Sequence, residues 1–209
     1  MILYMMENYI YQDVAMMIDD GDYLDAFELT CYLFLKIGDV DIDDLDGGVG
    51  VFADLCFETW DRILNEVNGK IEKKMYDWFI GHLDGSVIDY MEEYIEKILM
   101  QRFKSTEYLK DKLKYTENKV NSFKEHPESW FVEYNIEKWT LYHIEIMEEL
   151  KYSSDDIYKY CRENWRHSRI REYYISFCIS QKQYQLAIEL LNESLQLDVD
   201  KPGVIIELE

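Results

Sequence analysis

Apolar residues recur along most of the chain at intervals of three and four, the period of helices buried on one face. At the start, Leu3, Met6, Ile10, Val14 and Met17 mark a helix over 1–18, closed by Asp19-Asp20-Gly21-Asp22. The next pattern, 23–37, places Phe27, Thr30, Cys31 and Phe34 on one side and ends at Gly38, a residue suited to helix termini. Helices are then predicted over 51–67 and 71–83, with Leu55, Cys56 and Trp60, then Met75, Trp78 and Phe79, facing inward. Ser86 with Asp89 three residues later reads as a capping box, launching a helix whose outer face carries Glu92, Glu93 and Glu96. The helix over 107–124 has a thin apolar stripe, which predicts a peripheral position. Pro127 opens the following one, which runs to Leu150 with a wide aromatic face: Trp130, Phe131, Tyr134, Trp139 and Tyr142. Ser153 with Asp156 starts a short helix over 157–165, Ser168 caps 170–181, and 186–197 is the last. No run alternates as a strand would. The class is all-α, with roughly ten helices.

Two of these helices begin alike. Tyr23-Leu-Asp-Ala26-Phe-Glu-Leu29 and Tyr184-Gln-Leu-Ala187-Ile-Glu-Leu190 both read Tyr-x-x-Ala-apolar-Glu-Leu and lie 161 residues apart. A ring at a helix start, with a small residue three positions later, suits close packing of a second helix on a first. The ring fills the gap and Ala lets the backbones approach. Tyr23, Ala26, Tyr184 and Ala187 are therefore expected to be structural, in hairpins resembling the tetratricopeptide unit of about 34 residues. Only four alanines occur in the chain, and the middle lacks this signature. The expected architecture is an α/α superhelix of helical hairpins, one repeat-like domain over 1–207.

Charge changes the picture more than composition does. The net charge is −21, and residues 1–60 hold 14 acids against one base, Lys36. Residues 101–124 reverse this locally, with seven bases and three acids. So acidic a chain repels nucleic acid and anionic membrane, and a solvated face is the simplest meaning of the basic helix. No apolar run approaches the ~20 residues of a membrane helix. The N-terminal Met-Ile-Leu-Tyr-Met-Met lacks the flanks of a secretory signal.

Candidate chemistry is sparse. Asp39, Asp41 and Asp43 match the first ligands of an EF-hand loop, but Asp44 stands at its turn glycine and Gly50 at its bidentate glutamate, so residues 39–46 are expected to be a connector. Cys31, Cys56, Cys161 and Cys178 form no C-x-x-C and sit in apolar patterns, as buried free thiols do. His82, His126, His143 and His167 include no i, i+4 pair, and Cys161 with His167 makes a poor nucleophile and base. No cofactor or metal is expected.

The run 39–46 with Gly47, then Trp60, His82-Leu-Asp-Gly-Ser-Val-Ile-Asp-Tyr90, Trp139, His143 and the segment 173–197 together resemble one bacterial family. It is the helical region that follows a SWIM-type zinc finger in uncharacterised cytoplasmic proteins. The finger needs C-x-C followed by C-x-H, which this sequence lacks, so no zinc ligand carries over. The resemblance implies a longer cytoplasmic parent in which the finger contacts DNA or protein and the helices bind a partner or act as a spacer. Val204-Ile205-Ile206 reads as the start of a further element, and Leu208-Glu209 resembles a tag-junction scar.

The expected function is thus a non-catalytic interaction or scaffold module for a protein or peptide, a basic one where it docks on the N-terminal hairpin. Asp19, Asp22 and Asp25 are the candidate acidic contacts, and Trp78, Trp130 and Trp139 the candidate aromatic anchors. The alternative is a helical enzyme or ligand-binding domain with a central pocket and a cation at loop 39–46. A groove lined by aromatics favours the first, a closed pocket with converging polar groups the second.

Overall fold

Sparse breakers leave long helices, and among the residues described by the computed structural model (2–39, 47–125 and 130–199) every regular element is helical. Of Asp39, Asp89 and Trp130 only the backbone is described. Helix α1 (Ile2–Tyr9), a π-helical turn (Ile10–Val14) and α2 (Ala15–Asp20) continue as one rod. Then come α3 (Tyr23–Lys36), closed by a 3₁₀ turn (Ile37–Asp39), α4 (Gly48–Glu66), α5 (Gly69–Gly81) and α6 (Asp89–Gln101). They are followed by α7 (Thr106–Lys124), α8 (Trp130–Glu149), α9 (Ser154–Glu163), α10 (Ser168–Ser180) and α11 (Tyr184–Leu197). With the first rod counted once, these are ten helices. Where the sequence was read as one domain over 1–207, the helices gather in two compact units, Met1–Phe103 and Lys104–Glu209.

The π turn follows from the spacing of the buried stripe. Met6, Ile10, Val14 and Ile18 are buried, each four residues after the last. Three steps of four residues would carry a stripe about 120° round an α-helix. A wider π turn at mid-course takes up that drift and keeps all four on the packed face. This is why Ile18, and not the expected Met17, closes the stripe.

The twin stretches share their entry geometry. Gly21 sits at φ +86° and the Asp22 N–H reaches the Met17 carbonyl at 2.8 Å, the 6→1 bond of a Schellman cap. Lys182, also 161 positions on, sits at φ +60° and the Gln183 N–H reaches the Cys178 carbonyl at 2.8 Å. Both next helices begin two residues after the left-handed one. Ala26 and Ala187 are buried, at 0% and 5% exposure. Their aromatic companions differ from expectation: Tyr23 is half-buried, and Tyr184 is 58% exposed and fills no interhelical gap.

In the first unit Trp60, on α4, is fully buried, with Phe34 of α3 at 4.8 Å and Phe79 of α5 at 5.1 Å between ring centroids. Such edge-to-face contacts add about 0.5–1.5 kcal/mol each beyond area burial. Buried hydroxyls are satisfied locally: Thr30 donates to the Ala26 carbonyl and Thr59 to that of Leu55, both at 2.8 Å. The Ser86 box does not form. The Ser86 N–H instead bonds the Asp84 carboxylate at 3.0 Å, in the turn opened by Gly85 at φ +81°, Val87 is drawn into the core, and α6 starts only at Asp89. Glu96, read as outer-face, is buried.

In the second unit α7 is not peripheral. It packs along α8 and buries Tyr108, Leu109, Lys112, Thr116 and Val120. The Ser153 cap forms as read, its hydroxyl oxygen accepting from the Asp156 N–H at 3.1 Å. Ser168 is instead the first residue of α10, whose N-cap is His167. The Glu137 carboxylate of α8 accepts from the Arg169 N–H there, so a distant acid serves that helix start. Arg171 is buried and spends every guanidinium nitrogen: Nε on Ser194 Oγ at 2.8 Å, Nη1 on the Trp165 and Arg166 carbonyls, and Nη2 on the Asp198 carboxylate.

Because Ala26 has no free volume around it and Tyr184 has one side in water, their substitutions should separate. Denaturant unfolding of Ala26→Leu is expected to show a loss of about 1–3 kcal/mol from overpacking. Tyr184→Ala should stay within about 0.5 kcal/mol of the parent, as surface changes do.

Candidate interaction face

The first rod buries one stripe and leaves the rest of its surface unusually apolar. Ile2, Tyr4, Met5, Tyr9, Tyr11 and Met16 are all exposed, Tyr4 by 68% and Tyr11 by 63%. Single exposed apolar residues are ordinary, but six on one rod of 19 residues form a patch of the kind that marks contact surfaces. Between them stand Asp13, Asp19, Asp20 and Asp22, all exposed, and no lysine or arginine precedes Lys36. Aromatic faces carry negative quadrupole potential, so rings and carboxylates here favour the same sign of ligand, a cation.

A cleft of about 190 Å³ runs beside this face. Its floor is Ile10, Val14 and Ile18 of the rod with Leu55 and Thr59 of α4, and Glu58 and Arg62 stand on its rim. Arg62 pairs with Asp19 at 2.6 Å across the end of the cleft. Both partners are exposed, so the pair adds well under about 1 kcal/mol to stability. It does tie up the first of the three predicted acidic contacts, while Asp22 and Asp25 are exposed beside it.

Two of the three predicted aromatic anchors have their rings engaged within the fold. Trp139 is buried at 2% exposure, with Tyr115 against its edge at 5.6 Å, and cannot be a surface anchor. Trp78 is half-buried, stacked on His82 at 4.1 Å and set against Phe27, so its own chain uses its ring. Trp130's side chain, like residues 40–46 of the loop read as a connector and the segment 200–209, lies outside the described residues. The exposed tyrosines and methionines of the first rod are not among the predicted anchors. The missed signal was in the sequence: Met5, Tyr9 and Met16 fall on a different stripe of the helix from Ile10 and Val14.

The buried ionisable groups elsewhere serve packing. His143 stacks on Tyr160 at 4.3 Å, and its Nδ1 lies 3.0 Å from Thr116 Oγ1. The Thr116 hydroxyl donates to the Leu113 carbonyl, which leaves its oxygen to accept from the ring Nδ1–H. Burial holds the ring neutral, pushing its pKa down to about 4. Cys161 is buried and its thiol is pushed up to about 12 by burial, while His167 Nε2 accepts from Arg166 Nε at 2.9 Å. That thiol is not a nucleophile at neutral pH. Lys112, on the helix read as a solvated basic face, is completely buried, and desolvation with Lys104 nearby pushes its pKa down to about 8. Among the described residues no group of three His, Cys, Asp or Glu is placed to hold a metal ion, and no helix is long and apolar enough to cross a membrane.

No family model, curated protein or solved structure matches this chain.

Two pH dependences follow. The folded state holds the Lys112 proton less tightly than the unfolded chain, so its contribution to stability rises with pH between about 8 and the ordinary 10.5. Unfolding curves of the parent and Lys112→Met, compared across that window, should show the parent gaining on the variant as pH rises. A constant difference would show Lys112 to be solvated.

His143 works at the acid end. The unfolded chain takes its proton near pH 6.5 and the folded one only near 4, so its contribution to stability falls as pH drops through that interval. In NMR titration its ring resonances should stay fixed from pH 8 to about 5.

Proposed function

We propose that this protein is a non-catalytic helical interaction module whose N-terminal rod docks a basic protein or peptide segment. The observation that carries the reading is the exposed set of tyrosines and methionines on a rod with acids and no base. Tyr and Met supply adaptable apolar contact area, and the surrounding carboxylates select for positive charge. A second copy of the chain is a poor occupant, because the 14 acids against one base in residues 1–60 would face the same set. The matched Schellman turns at Gly21 and Lys182, each followed by a helix with a buried alanine, support a tetratricopeptide-like reading of the first and last hairpins. The likeness to the helical region beside SWIM-type fingers fits such a module within a longer cytoplasmic protein, with no nucleic-acid contact by this region.

Electrostatic steering acts on the association rate and fades as salt shortens the Debye length to about 8 Å at physiological strength. Stopped-flow association with a labelled lysine-rich peptide should be fast at low salt and slow as salt rises, and a glutamate-rich peptide of the same length should not bind. Asp13, Asp22 and Asp25 changed together to Lys should slow association several-fold at low salt with the melting temperature nearly unchanged. Asp19 is spared because it pairs with Arg62. Equal rates for parent and variant would remove the acidic face from the reading.

A further inference from the structure

We infer that the cleft between the π turn and α4 takes one apolar side chain of the basic segment, with a lysine or arginine of that segment set on Glu58 at its rim. This rests on the reading above and names what the docked segment must contain. At about 190 Å³ the cleft is below the ~300–1,000 Å³ of small-molecule sites, so it suits a side chain and not a cofactor.

Its chemistry is divided in the way such an anchor needs. Ile10, Val14 and Ile18 line the floor and are buried. The polar atom at the base is already satisfied, since Thr59 Oγ1 donates to the Leu55 carbonyl at 2.8 Å. An aliphatic or aromatic group entering there displaces water without stranding a donor. The rim is polar and asymmetric. Arg62 is engaged by Asp19, and Glu58 is exposed. The net sign around the opening is negative, so a cation beside the anchor meets attraction and an acid meets repulsion.

The π turn forms one wall of this cleft. Ile10 and Val14 belong to it, and Ala15, which follows it directly, has no side chain long enough to close the gap. Wide turns of this kind recur at functional positions in helices. Here the turn has a packing cause as well.

The test uses the full chain and two labelled fifteen-residue helical peptides of Lys, Gln and Ala, one with a central Leu and one with Ala in its place. The Leu peptide should bind about tenfold more tightly by fluorescence anisotropy, the difference of roughly 1.4 kcal/mol expected for one well-buried apolar group. Ala15→Phe, which fills the cleft, should abolish that difference and leave the weak binding of the Ala peptide intact. Glu58→Gln should weaken the Leu peptide several-fold and flatten its salt dependence. Circular dichroism and melting temperature establish that Ala15→Phe is folded, and Glu58→Gln, an exposed change, serves as the second arm should it not be. If both peptides bind the parent equally, or if neither variant alters the Leu peptide, the inference is overturned while the basic-partner reading stands. If neither peptide binds, both fall together.

Discussion

A guanidinium taken entirely out of water fixes the second unit. Removing an ion of this kind from water costs several kcal/mol, and only a full set of well-placed partners offsets it. Arg171 has that set, drawn from three places: the corner between α9 and α10 through the Trp165 and Arg166 carbonyls, the body of α11 through Ser194, and its end through Asp198. Ser194 and Asp198 lie four residues apart and so share one face of the chain as α11 closes. Any shift of α11 along α10 would strand a buried charge. The turn from α10 into α11 carries a backbone cost of its own. Lys182 holds a left-handed conformation that costs a non-glycine residue roughly 1–2 kcal/mol, at the turn that sets α11 against α10.

The first unit solves the same problem with rings. With so few alanines its helices cannot approach closely, and Phe27, Phe34, Trp60, Trp78 and Phe79 occupy the space between them in edge-on and tilted contacts. Its charge is harder to account for by folding alone. Residues 1–103 hold 23 acids and seven bases, against 20 and 15 in the rest of the chain. Such an excess repels itself and weakens the compact state. The exposed rings of the first rod add little to the core either. Neither feature stabilises the fold, and the function proposed above would give both a use.

The ionisable groups that a search for catalysis would pick out have a uniform explanation. His143, Cys161 and Lys112 are each buried, and in each the shift favours the uncharged form. Burial is the largest cause in each, since desolvation penalises the charged form.

The periodicity of the sequence determined the helical class, most helix positions, the burial of Ala26 and Ala187 and the Ser153 cap, because each depends on residues within one or two turns of one another. Tertiary packing decided the rest. Ser86 reads as a cap, yet its N–H is claimed by Asp84 once Val87 has a core to enter. Lys112 reads as part of a solvated basic face, and only the neighbouring helix reveals it as buried. The tryptophans read as anchors by residue type, but large rings are also the best filler where alanine is scarce, and Trp139 is used that way. The exposed apolar face itself rests on which side of the first rod another helix covers. Two stripes of that rod are apolar enough to be buried. The π turn aligns one of them on its neighbours and leaves the other in water, a choice made by the packing surface opposite and written in no local run of residues.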